Sequence, residues 1–340
     1  MLWNKKDKEL TIARDRFGIR PLYILELGPK TYFASELKAF DKIVGYERKF
    51  DVERLFEHCL LWNTYGNHTI YQNVKSLPGG SYAKFRNGKL VEEKKYYELG
   101  RIHTPNNLSF RECQEEFTRL LKDSVKLRLR SDVPVGAYLS GGIDSSVITQ
   151  LVQEETKNGF KTFSVAFEDK EYDESHYQYE MVNQINSEHY SLNINYKHID
   201  EHFPEAIYHT ERPVFRTASV PLFLLSDKVR ENDIKVVLTG EGADEILWGY
   251  DSFKEVKMLD FWSKFPESKI RPQLIKKLYP HLNHFSDKRQ YGMMKMFYEG
   301  FLGSVDNKLA SLNIRIHNNK IIKNSSINDR AIIGIHDTVL

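Results

Sequence analysis

The sequence has little cysteine, no long apolar run and almost no net charge, and each shortage removes a class of function. Only two cysteines, Cys59 and Cys113, occur in 340 residues, far apart and without CxxC spacing. That argues against a disulfide framework or a zinc site, and it fits a reducing compartment. Both thiols are expected to be buried or half-buried. No stretch reaches the length of a membrane span. The start, MLWNKKDKELTIARD, has no apolar core behind its charges, so no signal peptide is visible and cytoplasm is the expected location. The formal net charge is +2, with Lys and Arg interspersed among Asp and Glu, which speaks against nucleic-acid and membrane partners. The absence of GxxxxGK[ST] disfavours a Walker-type NTPase. His176, His189 and His209 stand isolated, without HExxH spacing, and read as packing or surface residues.

What is present is ordinary in bulk and specific in pattern. A composition of 41% hydrophobic and 28% charged residues is that of a folded chain, long enough for two domains. Residues 1–98 carry short alternating runs, LTIA, PLYILEL, TYFAS and SYAKF, separated by LGPK, SLPGG and RNGK, which predicts antiparallel strands. One helix interrupts them, DVERLFEHCLLW, with Val52, Leu55, Phe56, Cys59 and Leu60 at helical spacing. The opening Met1, Leu2 and Trp3 is strand-like at once, as though the chain starts inside a domain. Residues 99–109 collect Gly, Pro and Asn without periodicity and are expected to be a linker.

After the linker, Phe117, Leu121, Val125 and Leu129 line one helix face. A strand from Val133 to Leu139 follows. Helices and strands then alternate: a helix from Ser145, KTFSVAF, a helix from Glu174, HYSLNI, helices near Asp200 to His209 and Val220 to Arg230, and DIKVVLTG. Such alternation predicts an α/β domain whose parallel sheet is covered on both faces. Beyond Tyr250, MLDFWSKF and GMMKMFY read as buried helix faces, and the chain ends in a polar tail, KIIKNSSINDRAIIGIHDTVL.

The chemistry concentrates in AYLSGGIDSS, residues 137–146. Gly141 and Gly142 let the backbone approach an anion. Ser140, Ser145 and Ser146 offer hydroxyls, and the following helix presents free N–H groups and the positive end of its dipole. Taken alone, the turn also reads as a Ser/Asp helix cap. Asp144 would repel phosphates unless a divalent cation bridged them, so it predicts Mg2+ held jointly by protein and nucleotide. A second acidic turn, VVLTGEGADE, places Glu241, Asp244 and Glu245 after another strand. In an open parallel sheet the strand C-termini gather at one edge, so Asp144 and Asp244 could ligate one Mg2+, leaving Glu241 to orient an ammonium or act as a base. A solvated acidic turn is the alternative for this second motif.

SGGIDSS, FSVAF, YDESHY and TGEGADEILWGY, in this order over roughly residues 105–255, resemble the synthetase domain of the asparagine synthetase B family, of the PP-loop ATP pyrophosphatase group. ARDRFGIRPLY, YFASELKAF and NHTIYQNVKSLPGGSY resemble the later part of that family's class II glutamine amidotransferase domain. The resemblance implies an α/β, adenine nucleotide alpha hydrolase-like PP-loop domain over residues 110–340, preceded over residues 1–98 by an incomplete β-rich Ntn-type amidotransferase domain. It implies a ligase that spends ATP to adenylate a carboxylate, aspartate or a similar acid, and forms an amide with ammonia or glutamine nitrogen. By the same resemblance Ser140, Gly141, Gly142, Asp144 and Ser145 hold pyrophosphate, and Asp144 and Asp244 ligate Mg2+. Leu139, Val165, Thr239 and Gly240 line the adenosine pocket, and Glu241 meets the amino-acid substrate.

The resemblance also has departures. Leu2 stands where the family has its catalytic cysteine, and neither Cys59 nor Cys113 has an adjacent α-amine. No glutaminase activity is therefore expected. The family's later lysine and its DRxSM…ExRxP stretch are not found. A gene fragment is the leading expectation, with a split protein and a degenerate paralogue as alternatives. A homodimer or a partner chain could supply the missing segments. A related ligase acting on another carboxylate, such as a β-lactam synthetase, and a non-catalytic nucleotide-binding remnant stay open.

Overall fold

The computed structural model describes residues 1–99, 107–156, 159–185, 187–279 and 288–302. The polar tail and most of the expected linker lie outside these residues. Two compact units are present: one is formed by Met1–Arg101, Glu211–Pro213 and Tyr250–Leu340, in their described parts, and the other by Ile102–Thr210 and Val214–Gly249.

The first unit is β-rich, as its alternating runs predict. Its strands are β1 (Leu2–Asn4), β2 (Glu9–Ala13), β3 (Tyr23–Leu27), β4 (Lys30–Ala34), β5 (Val74–Ser76), β6 (Ser81–Arg86) and β7 (Lys89–Lys95), with helix α1 (Val52–Leu61) between β4 and β5. They pair antiparallel in two sheets, ordered β1-β2-β6-β7 and β4-β3-β5. Alternation along β3 serves two cores. Ile24 joins Ile12, Leu77, Ala83 and Phe85, whereas Leu25 joins Leu37, Phe40, Ile70 and Val74. Strand β7, KLVEEKK, has no alternating pattern to betray it. It forms because Asn87 (φ 52°) and Gly88 (φ 74°), both in the left-handed region, make a two-residue turn whose twist matches the right-handed twist of the flanking strands.

Helix α1 corrects an expectation. Its buried residues are Glu57, His58, Leu60 and Leu61, while Cys59 is exposed and Val52 is 63% exposed. Polar bonds set this rotation. The Glu57 carboxylate accepts from the Arg54 guanidinium and from the Tyr65 N–H, and His58 Nε2 lies 2.8 Å from the Pro213 carbonyl oxygen. Cys113 is half-buried, as expected.

ARDRFG folds as a polar knot. The Arg14 guanidinium donates to the carbonyls of Arg20, Leu77 and Gly18 and to Ser76 Oγ at 2.7–2.9 Å. The Asp15 carboxylate accepts N–H bonds from Phe17, Ile19 and Arg20. Burial raises the Asp15 pKa, yet these N–H groups and the Arg14 charge outweigh it and hold the carboxyl below its ordinary 3.8. A depressed carboxylate stabilises the fold above its unfolded pKa and loses that contribution as pH falls through the folded value. Asp15→Asn should therefore melt lower than the wild type at neutral pH, and the gap should close below about pH 4. A gap independent of pH would contradict this account of the turn.

The C-terminal part of this unit holds α8 (Asp251–Ser263) and α9 (Lys288–Glu299), with Met258, Leu259, Trp262, Ile275, Leu278, Tyr298 and Phe301 buried together. The expected buried faces of MLDFWSKF and GMMKMFY are both there. Tyr279 and Tyr298 donate their hydroxyls to Glu255 Oε1. Burial, reinforced by that carboxylate, drives both phenol pKa values far up.

The second unit is α/β. It runs α2 (Phe110–Arg128), β8 (Val135–Tyr138), α3 (Ile143–Glu155), β9 (Lys161–Phe167), α4 (Ser175–Ile185), β10 (Glu188–Ile194), α5 (Tyr196–Thr210), α6 (Ser219–Glu231), β11 (Val236–Leu238) and α7 (Ala243–Leu247). Helix α2 starts in a capping box between Ser109 and Glu112. The four strands are all parallel in the order β10-β9-β8-β11. One sheet face packs Ala137 with Val125, Leu151, Val152 and Ile185, the other packs Phe163 with Leu225, Val229 and Ile234, so both faces are covered. Strands β9 and β10 add on one side of β8 and β11 adds on the other, which places the switch in strand order between β8 and β11.

Candidate functional site

Ligands of doubly wound sheets bind beyond the strand C-termini where the order switches, and both predicted motifs lie there. Leu139 still follows the sheet, its N–H donating to the Phe163 carbonyl at 2.9 Å. At Ser140 the chain turns away. Ser145 Oγ accepts from the Ser140 N–H, meets Ser140 Oγ at 2.9 Å and donates to the Gly142 carbonyl; Ser140 Oγ in turn accepts from the Gly142 N–H. The two hydroxyls thus brace the turn internally. Helix α3 then starts on Gly142 without a side-chain cap, so the Ile143, Asp144 and Ser145 N–H groups have no intrahelical acceptor. That is the disposition an anion needs.

Gly141 has φ +87°, and a Cβ there would lie 3.1 Å from Tyr177 Cβ and 3.3 Å from the Glu174 carbonyl oxygen. The first glycine is therefore demanded by both backbone conformation and the close approach of α4. YDESHY explains how α4 is held. The Asp173 carboxylate accepts from Ser175 N–H and Oγ and, at 3.4 Å, from the N–H of Phe167 at the end of β9. The Ser175 hydroxyl bond keeps Asp173 below the ordinary carboxylate range.

The second turn is brought directly onto the first. Val236, Val237 and Leu238 pair in parallel register with Val135, Gly136 and Ala137, which carries Gly240 to the start of α3. A Cβ at Gly240 would lie 2.8 Å from Ser145 N, 2.9 Å from Asp144 Cβ and 3.0 Å from the Asp144 carbonyl carbon. Thr239 Oγ1 accepts from the Glu241 N–H at 3.3 Å. Gly242, at φ +92°, leads into α7, whose first turn carries Asp244 and Glu245. Asp244 is half-buried and folds over its own turn: a Cβ at Gly249 would overlap Asp244 Oδ1 at 1.8 Å.

Ser140, Gly141, Gly142, Asp144, Ser145 and Gly240 are thus one contiguous group, and Asp144 and Glu241 are exposed. Leu139 directly follows β8, and Val165 lies two residues before the end of β9. A residue that the motif reading missed joins them. Gln178, 2% exposed, donates its amide to the carbonyls of Val165 at 2.9 Å and Ser140 at 3.3 Å. Its signal in the sequence is a polar residue in register with Met181 and Ile185 on the buried face of α4.

His189 is a packing residue, as expected. It lies between Thr162 Oγ1 and Ser164 Oγ at 2.9 and 3.0 Å, and burial lowers its pKa. A cavity of about 650 Å³ opens at the opposite edge of the sheet, beside Val133, Val135, Phe160 and Lys161, and no predicted site residue lines it. Among the described residues, no group of three or more His, Cys, Asp or Glu side chains is placed to hold a metal ion unaided, and no helix is long and apolar enough to cross a membrane.

The Asparagine synthase family profile matches residues 116–322, which contain both turns. The chain belongs to the asparagine synthase family. A Glutamine amidotransferase domain profile matches residues 1–97. The Asparagine synthetase [glutamine-hydrolyzing] 1 of Bacillus subtilis (strain 168) is 32% identical over 273 residues, covering 78% of this chain and 41% of the relative. The Amidase chyE of Penicillium rubens is also 32% identical over 273 residues, covering 75% of this chain and 40% of its own length. The chain thus spans about two fifths of the length of these relatives. The NH3-dependent NAD synthetase of Campylobacter jejuni is similar in structure over 56% of this chain and 95% of its own, with 16% identity and a TM-score of 0.30.

Proposed function

We propose that the chain is the ATP-dependent, amide-forming part of an asparagine synthetase-like ligase, with aspartate as the acid. The observation that carries this reading is the contact of Gly240 with the first turn of α3, which joins two acidic turns into one site around free N–H groups. The triphosphate lies against the N–H groups of Ile143, Asp144 and Ser145 and the glycine backbone of the turn, with the adenosine beside Leu139, Val165, Thr239 and Gly240. Mg2+ suits the donor set, because it is held by one or two carboxylates plus phosphate oxygens and water rather than by an all-protein cage. Asp144 and Asp244 would be those carboxylates, and the ion would neutralise charge on the leaving pyrophosphate.

The reaction balances as two displacements. A carboxylate oxygen of the acid attacks the α-phosphorus, the α–β phosphoanhydride bond breaks and pyrophosphate leaves. Ammonia then attacks the acyl carbon, the acyl–oxygen bond to AMP breaks, and the nitrogen gives up a proton. Glu241, exposed at the mouth of the second turn, accepts that proton or holds the incoming ammonium. Asp144 would hold the metal, whose charge would favour the first displacement.

The name Amidase chyE, carried by a relative as similar to this chain as the Bacillus synthetase, favours a second reading, a different acid on the same adenylating site. Labelled pyrophosphate exchange into ATP separates the readings. Exchange dependent on aspartate supports the first, exchange with another acid alone supports the second, and ATP binding without exchange supports a non-catalytic nucleotide binder. The proposal takes ammonia or glutamine nitrogen as the donor, with the glutaminase half inactive in this chain, whose thiols are Cys59 on α1 and Cys113 on α2. Purified chain given glutamine should release no glutamate, and release would overturn that part. The cytoplasm and a homodimer or partner chain belong to the same proposal.

A further inference from the structure

Gln178 is buried to within 2% of full exclusion, yet its use of hydrogen bonds is lopsided. Its Nε2 donates to two carbonyl oxygens, those of Ser140, two residues past β8, and Val165, two residues before the end of the adjacent strand β9. Its Oε1 is buried and has no hydrogen-bond partner among the described residues. Turning the amide over would press Oε1 against both carbonyls, so the two acceptors fix the orientation. A position chosen for packing alone would hold an apolar side chain, as Met181 and Ile185 do on the same helix face. A buried carbonyl left unpaired therefore needs a compensating reason.

The reason lies in what the amide ties together. Ser140 opens the phosphate-binding turn, Val165 stands at the predicted adenosine side, and the Gln178 Cγ lies 3.4 Å from where a Cβ on Gly141 would be. Asp173 anchors the start of α4 to Phe167 of β9, so Gln178 works from a fixed base. We infer that Gln178 is a positioning residue that locks the phosphate turn to β9 and so sets the distance between the triphosphate and adenosine sides of the site. The inference rests on the nucleotide reading proposed above.

The test is calorimetric titration of the full chain with ATP and Mg2+, for the wild type, Gln178→Leu and Gln178→Glu, beside their melting temperatures. The leucine variant keeps the volume, removes the unpaired oxygen and loses both bonds. It should melt close to the wild type and bind ATP about tenfold more weakly, as expected for a group that orients ligand-binding atoms from behind. The glutamate variant should bind worst at about pH 8, where an ionised carboxylate faces two carbonyls. Its deficit relative to the wild type should narrow towards about pH 5.5, because the neutral acid regains an O–H donor. The leucine variant's deficit should not narrow. A leucine variant that binds ATP like the wild type, or that loses melting temperature and affinity together, overturns the inference. If that variant does not fold, the pH dependence of the glutamate variant decides, and a flat ratio overturns it. A wild type that binds no ATP overturns the nucleotide reading and this inference with it.

Discussion

Gly240→Ala should lower ATP-dependent pyrophosphate exchange by about a hundredfold or more while leaving the parallel sheet folded. The added methyl would sit 2.8–3.0 Å from the backbone nitrogen of Ser145 and the Cβ and carbonyl carbon of Asp144. Backbone atoms cannot rotate aside as a flexible side chain can, so either the second turn lifts away or the first turn of α3 tilts. Either response parts the acidic turn from the free N–H groups, and a displacement of about 1 Å in a positioned site commonly costs two orders of magnitude in rate. Circular dichroism should remain that of a folded chain, because β11 keeps its pairing with β8 through Val236, Val237 and Leu238. Exchange within about twofold of the wild type would show that the contact is packing only.

Asp144→Ala carries the second large effect, and here the sign matters as much as the size. Asp144 is exposed on the first turn of α3, where a carboxylate favours the helix by about 0.3–1 kcal/mol, so stability should change little. If Mg2+ bridges Asp144 and the phosphates, its removal forfeits several kcal/mol of charge stabilisation, and Mg2+-dependent ATP affinity should fall by more than about a hundredfold. Without a bridging ion the carboxylate simply repels the phosphates, and the alanine variant should bind ATP more tightly. Titration at fixed ATP with and without Mg2+ separates the two: weaker binding only when Mg2+ is present supports the ligand role, and tighter binding removes it.

The juxtaposition of the two turns in the candidate site was legible because its signals are local. A strand ending in SGGIDSS and a second ending in TGEGADE state glycine where backbones must touch, and parallel pairing of β8 with β11 converts two distant segments into neighbours. Alternation of strands and helices from Val133 onward gave the α/β class for a similar reason, since each element carries its own apolar face. What could not be read depends on partners far along the chain. The rotation of α1 follows from Glu57 and His58 bonding to Tyr65 and Pro213, so the apolar spacing of Val52, Phe56 and Cys59 pointed to the wrong face. Helix α5, expected near Asp200 to His209 across Pro204, is there but begins earlier, at Tyr196, where Asn195 and His198 each accept the other's N–H. Gln178 stayed hidden because glutamine carries no motif, and only the burial of its amide against the Ser140 and Val165 carbonyls gives it meaning.

The central claim is that the ends of β8 and β11 form one nucleotide site. A crystal of the full chain grown with a non-hydrolysable ATP analogue and Mn2+ in place of Mg2+ tests it most directly, because Mn2+ is located by its anomalous scattering. The account predicts one Mn2+ between the Asp144 and Asp244 carboxylates and the β- and γ-phosphates, with phosphate oxygens accepting from the N–H groups at the start of α3. A triphosphate bound elsewhere, or one seated at this turn with Mn2+ away from both carboxylates, would contradict it.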